Sequence, residues 1–162
     1  MKKASIFSLI MVKEAGQYLV TLEEAVGMRL IPIWIGPAEG VSIAAALQKQ
    51  SFPRPLTHDL FISMLKEMEV KIEKIIITDL KHDTFYANIV LRKNGKSYVI
   101  DSRPSDSIAI AVRAQAPIFI EEEVFNKCPE ILKPITEKEV DRFKKVLENL
   151  RPEDFFKEKR DG

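Results

Sequence analysis

The order strand-strand-strand-helix occurs twice in this chain, and the two occurrences superimpose without gaps over much of their length. An offset of 67 residues lays Pro37 beneath Pro104, Tyr18 beneath Phe85, Ile33 beneath Ile100, Glu39 beneath Asp106, Ile43 beneath Ile110 and Gln48 beneath Gln115. Few positions are identical, yet the shared element order, the two prolines and the two first-turn acids favour duplication. The expected fold class is α+β. A duplicated β-β-β-α unit should pack two half-sheets about a pseudo-two-fold, giving a largely antiparallel or mixed sheet packed with helices, plus a C-terminal helix.

The first repeat, at about 4–48, reads as strands Ala4–Val12, Tyr18–Leu22 and Leu30–Ile35, then a helix Ala38–Gln48. Pro32 predicts an edge position or a bulge in the third strand. The second repeat, at about 70–115, reads as strands Val70–Leu80, Phe85–Leu91 and Ser97–Asp101, with Asn94-Gly95 as a tight turn. Pro104 suits the first position of the helix that follows, and Asp106 and Glu39 each fall in a first turn, where the dipole favours a carboxylate. Between the repeats, Thr57 is the expected N-cap of a helix to Met68, with Leu60, Phe61, Met64, Leu65 and Met68 on one apolar face. Beyond them come a short strand Ile118–Ile120 and a capping box, Thr136 with Glu139, opening a last helix that presents Val140, Phe143, Leu147 and Leu150. The expected organisation is one domain over 1–135 and a C-terminal helix with a charged tail over 136–162, whose Phe155 and Phe156 suit docking on the body or on a neighbour.

A length of 162 residues, 46% of them apolar and 30% charged, suits a single globular domain. A formal net charge of +1 argues against a strongly basic nucleic-acid coat. One cysteine, Cys128, excludes an intrachain disulfide and a cysteine metal cluster, and reads as a semi-buried thiol. Lys13 and Glu14 interrupt the N-terminal apolar run before it resembles a signal peptide, and no run reaches membrane-span length, so a cytoplasmic protein without membrane association is expected. Abundant Lys and Glu with sparse Asn and Gln predict a heat-adapted source, with a melting midpoint above ~65 °C.

No Gly-rich phosphate loop, nucleophile elbow, zincin helix or zinc-finger spacing is present, and no organic cofactor is implied. Two polar constellations remain. Arg54-Pro55-Leu56-Thr57-His58-Asp59 sets an arginine, an imidazole and a carboxylate around one helix start. Its plain reading is a cap, a dipole-complementing acid and a solvated histidine. Asp101, Arg103 and Asp106 set two acids and an arginine around another, where Arg103 can simply pair with either acid. His82, beside Asp83 in a hairpin turn, reads as solvated.

The stretches Ile33-Trp34-Ile35-Gly36, Arg54 to Leu60, Phe85-Tyr86-Ala87 and Asp101 to Ala109 together resemble the bifunctional nuclease domain family, over about Ser5 to Val124. The resemblance implies a nuclease hydrolysing phosphodiester bonds of DNA and RNA. On that reading His58, Asp59, Asp101 and Asp106 are the catalytic candidates, and Arg54 and Arg103 bind substrate. Asp101, Asp106 and Glu39 are candidate ligands for Mg²⁺ or Mn²⁺, because hard ions prefer oxygen donors. The competing expectation is a non-catalytic module that assembles as a homodimer or higher homo-oligomer through its strand edges.

Overall fold

The computed structural model describes residues 1–134 and 136–155. The first repeat is β1 (Lys2–Val12), β2 (Gln17–Glu24), β3 (Arg29–Ile35) and α1 (Pro37–Leu47). Helix α2 (Thr57–Glu67) intervenes, and the second repeat follows as β4 (Lys71–Lys81), β5 (Thr84–Lys93), β6 (Lys96–Ser102) and α3 (Pro104–Ala114). Then come β7 (Ile118–Ile120), α4 (Glu122–Lys127), β8 (Ile131–Leu132) and α5 (Glu137–Glu148), with a 3-10 turn at Pro152–Phe155. The 67-residue offset carries the start of β2 onto the start of β5, and β3 onto β6 and α1 onto α3 end to end. It fails at the first hairpin, where Lys13 to Gly16 is replaced by His82-Asp83 alone. Both of those residues are left-handed (φ 49° and 61°), as a type I′ turn requires.

All eight strands form one sheet in the order β6-β5-β4-β7-β1-β2-β3-β8. The half-sheets do not touch directly. Strand β7 lies between them, parallel to β4 (Ile75 with Ile118, Ile77 with Ile120) and antiparallel to β1 (Ala4 with Ile118, Lys2 with Ile120). Every other pairing is antiparallel. Pro32 pairs with Thr21 of β2, and on the opposite side β8 reaches only Arg29 and Leu30, so the proline interrupts no ladder there.

The period-two pattern decides the layers. Val20, Leu22, Ile31 and Ile33 in one half, and Ile75, Ile77, Ala87 and Ile89 in the other, pack in one core with Ile43 of α1 and Ile108 to Ala111 of α3. Full burial of such an aliphatic side chain contributes about 1.5–3 kcal/mol. On the other face of the first half, Val12 and Leu19 meet Leu147, Phe143 and Leu150, which seats α5. Helix α1 packs tightly on the sheet at Gly40, where an added Cβ would collide with the Tyr18 ring.

Arg29, at the start of β3, ties the far end together. It donates to Glu24 from Nε (3.0 Å) and Nη2 (2.8 Å), to Glu122 of α4 from Nη1 (2.7 Å), and lies over the Phe125 ring.

Some local expectations change. Leu56, not Thr57, occupies the N-cap of α2, because Asp59 supplies the capping bond by accepting from the Leu56 N–H at 2.9 Å. The apolar face of α2 is split: Phe61 and Leu65 turn to the core, whereas Leu60, Met64 and Met68 stay exposed. Cys128 is buried rather than half-exposed. The short α4 and the two-residue β8 carry too little periodicity to be read from sequence. The Thr136–Glu139 capping box is present in both directions. The Phe155 side chain and Phe156 lie outside the described residues. Among the described residues no helix is long and apolar enough to cross a membrane.

Candidate functional site

Helices α1, α2 and α3 begin at one end of the sheet because the sequence makes the same strand-Pro-helix transition twice and inserts α2 between. Gly36 and Arg103 are the extended N-caps (ψ 159° and 145°), and Pro37 and Pro104 open their helices. That places Glu39 and Asp106 on equivalent first turns. Arg103 bridges them, donating from Nε to Asp106 Oδ2 (2.9 Å) and from Nη2 to Glu39 Oε1 (3.0 Å).

The insertion supplies the imidazole. His58, in the first turn of α2, sets Nε2 2.9 Å from Asp106 Oδ1 and Nδ1 2.7 Å from Ser42 Oγ of α1. Arg113, late in α3, donates to Ser42 Oγ (3.0 Å), to the Ser42 carbonyl (3.2 Å), to the Ala109 carbonyl (3.0 Å) and to Asp59 Oδ1 (2.7 Å). A guanidinium can only donate, so the Ser42 oxygen accepts from Arg113 and its own hydrogen is available to His58 Nδ1. The neutral tautomer with hydrogen on Nε2, donating to Asp106, then satisfies every group in the chain.

These bonds set the charges. Burial pushes the Asp106 carboxyl up, but hydrogen bonds from His58 and Arg103 and the charge of Arg103 outweigh it, so the group sits below its ordinary 3.8. Asp59 is also held low, chiefly by the bond from Arg113. The guanidinium of Arg103 is raised by Asp106 and then Glu39.

An open cleft of about 580 Å³ borders the network. Pro37, Val41 and Leu56 form an apolar wall, with His58, Asp106 and Arg103 along the polar edge. The Arg103 side chain is 66% exposed, whereas that of Arg113 is only 9% exposed. One arginine therefore faces solvent at the cleft and the other is packed between the helices.

The structure brings together His58, Asp106, Arg103 and Glu39, and couples Asp59 to them through Arg113. It does not gather Asp101 or Arg54. Asp101 is exposed on the outermost strand, opposite Asn88, and Arg54 is exposed in the loop before α2. Sequence reasoning missed Ser42 and Arg113. A serine inside an alanine-rich helix reads as a small packing residue, and an arginine in a last turn reads as a dipole partner. The only signal available was that a buried serine needs a hydrogen-bond partner.

A divalent cation does not fit this donor set. Both Asp106 oxygens are engaged, and the Arg103 guanidinium already stands between Asp106 and Glu39. Among the described residues no three or more His, Cys, Asp or Glu side chains are grouped to hold a metal ion.

The sequence profile of the bifunctional nuclease domain matches residues 20–132, a span that contains the whole network. The chain belongs to the bifunctional nuclease domain family. An uncharacterized protein of Mycobacterium tuberculosis is 38% identical over 148 residues, covering 86% of this chain and 88% of that protein. Bifunctional nuclease 1 of Arabidopsis thaliana is 29% identical over 105 residues, 63% of this chain and 32% of that one. Bifunctional nuclease 1 of Oryza sativa subsp. japonica is 28% identical over 109 residues, 65% and 33% respectively. The chain thus spans about a third of the length of these plant relatives but most of the mycobacterial one.

Proposed function

We propose that the chain hydrolyses phosphodiester bonds of DNA and RNA at the cleft where the three helices begin. The observation that carries this reading is the meeting of His58, Asp106 and Arg103, a carboxylate–imidazole pair beside an exposed guanidinium, at the open edge of that cleft.

The chemistry follows from what Arg103 can exchange. Its fork binds a phosphate as readily as carboxylates, and the guanidinium itself is largely solvated while its present partners are only part-exposed. A phosphodiester that takes the guanidinium releases Asp106 Oδ2 and weakens one of the two interactions that hold the carboxyl low, leaving that of His58. Asp106 then accepts a proton from water, the water oxygen forms the new bond to phosphorus, and the ester oxygen leaves with a proton from solvent. The His58 Nε2–H holds Oδ1, so Oδ2 is the oxygen that acts. Ser42 and Arg113 fix the ring. No step requires an ion held by the protein's own side chains.

The test is a cleavage assay on single-stranded DNA and RNA, with and without chelator, using wild type and Asp106→Asn purified identically. Cleavage by wild type that falls at least ~100-fold in the variant is expected. Equal cleavage by a folded Asp106→Asn protein sinks the reading. A second reading, a non-catalytic self-associating module, is favoured by the engagement of both His58 nitrogens and by the net charge of +1. It predicts no cleavage by either protein and nucleic-acid binding that is absent or insensitive to salt.

A further inference from the structure

The two outer edges of the sheet are treated differently, although the repeat makes them equivalent. Strand β3 carries β8 along its first residues, whereas β6 ends the sheet with no strand beyond it among the described residues. Natural edge strands are usually shielded by charge, proline, a bulge or a covering segment. The centre of β6 has none of these. Tyr98, Val99 and Ile100 are 47%, 62% and 44% exposed. Tyr98 and Ile100 lie opposite Leu91 and Ile89, so they extend the core-facing side of the sheet into solvent.

The backbone specifies what such an edge can accept. Asn94 and Gly95 have φ of 49° and 76°, a two-residue type I′ turn that makes Lys93 and Lys96 a hydrogen-bonded pair. Alternation along the ladder turns the N–H and C=O groups of Lys96, Tyr98, Ile100 and Ser102 toward β5. Those of Ser97, Val99 and Asp101 point outward.

We propose that a second copy of this chain occupies the edge: two β6 strands pair antiparallel about a two-fold axis at Val99, making one sheet continuous through both chains. A two-fold perpendicular to the sheet keeps each residue on its own face, so only registers centred on a residue are possible. Centring on Val99 pairs Val99 with its counterpart and Ser97 with Asp101 of the other chain, which satisfies all the outward backbone groups. It also opposes Tyr98 to Ile100, an aromatic–β-branched pair, and sets the Ser97 hydroxyl against the Asp101 carboxylate. Centring on Tyr98 leaves the Asp101 groups unpaired and sets Lys96 against Ile100. Centring on Ile100 leaves Ser97 unpaired and sets Asp101 against Val99. The strand is thus complementary to itself in one register. This assembly holds whether or not the chain cuts nucleic acid.

The mass of the full chain in solution at micromolar concentration, by light scattering or sedimentation, tests the proposal with two variants. Wild type is expected as a dimer, and Val99→Arg, which puts like charges at the axis, as a folded monomer with unchanged circular dichroism. Val99→Cys is expected to cross-link chain to chain on oxidation, whereas Ser97→Cys, facing Asp101, is not. A monomeric wild type, a dimer that survives Val99→Arg, or cross-linking by Ser97→Cys and not by Val99→Cys overturns it.

Discussion

Glu39 and Asp106 are the same position of the duplicated unit, and the single guanidinium of Arg103 bonds to both. The repeat therefore explains why the acids exist, and the arginine, which stands where the first repeat has Gly36, is the residue the second repeat added. Because Arg103 is largely exposed, Arg103→Ala should cost no more than about 1 kcal/mol of stability. Its cleavage rate should nonetheless fall at least ~100-fold if the guanidinium carries phosphate. Thermal melts and cleavage assays on the same preparation separate the two effects; a large loss of melting temperature would place Arg103 in the scaffold instead.

Arg113 should behave in the opposite way. Its nearly buried guanidinium donates to Ser42, Ala109 and Asp59, so removing it strands several acceptors between helices. Arg113→Ala should destabilise by about 2–4 kcal/mol in urea unfolding. Arg113→Lys should recover little of this, since an ammonium cannot reproduce the planar fork.

Acid should unfold the protein through specific carboxylates. Glu24, Asp59 and Asp106 are all held below their ordinary values in the native state. The native protein thus binds fewer protons than the unfolded chain as pH falls through the carboxylate range. Their stabilisation is complete above the ordinary values of 4.5 for Glu24 and 3.8 for the aspartates, and is lost as pH drops through the lower, folded ones. Denaturation midpoints should stay flat from about pH 7 to 5 and then decline. Glu24→Gln, which removes the carboxylate bound by Arg29, should lower the plateau and make the acid decline shallower.

Gly40→Ala distinguishes propensity from packing. Helix propensity alone favours alanine by about 1 kcal/mol. The added Cβ would collide with the Tyr18 ring, and overpacking of this kind costs about 1–3 kcal/mol. A net loss of stability is expected on chemical denaturation. A gain would mean that Tyr18 gives way freely.

The repeat unit was legible because it is local: alternation, prolines and turn residues mark each strand and helix within a few positions. The 67-residue offset even carries α1 onto α3 end to end, although the expected bounds Ala38–Gln48 lie one residue late. The insertion of β7 between β4 and β1 was not legible, since three apolar residues carry no statement of which edges they join. In the site, His58, Arg103 and Asp106 were readable as chemistry-bearing types near helix starts. Ser42 and Arg113 were not, because their importance lies in contacts across 71 residues of sequence. Asp101 stands apart for the converse reason. It is close to Arg103 in sequence, but a strand ending at Ser102 leaves it on the outer edge.

Strand β7 also has a consequence in time. The first repeat is synthesised whole before any of the second, yet β1 lacks its inner neighbour until Ile118 to Ile120 have been made. Through most of translation the nascent chain therefore presents an open β1 edge, and closure waits on contacts between the two extremes of the domain. Such distant pairing slows folding and prolongs exposure of an unpaired strand. A chain arrested before Ile118 would hold two complete meanders linked only through their helices, with no strand between the half-sheets.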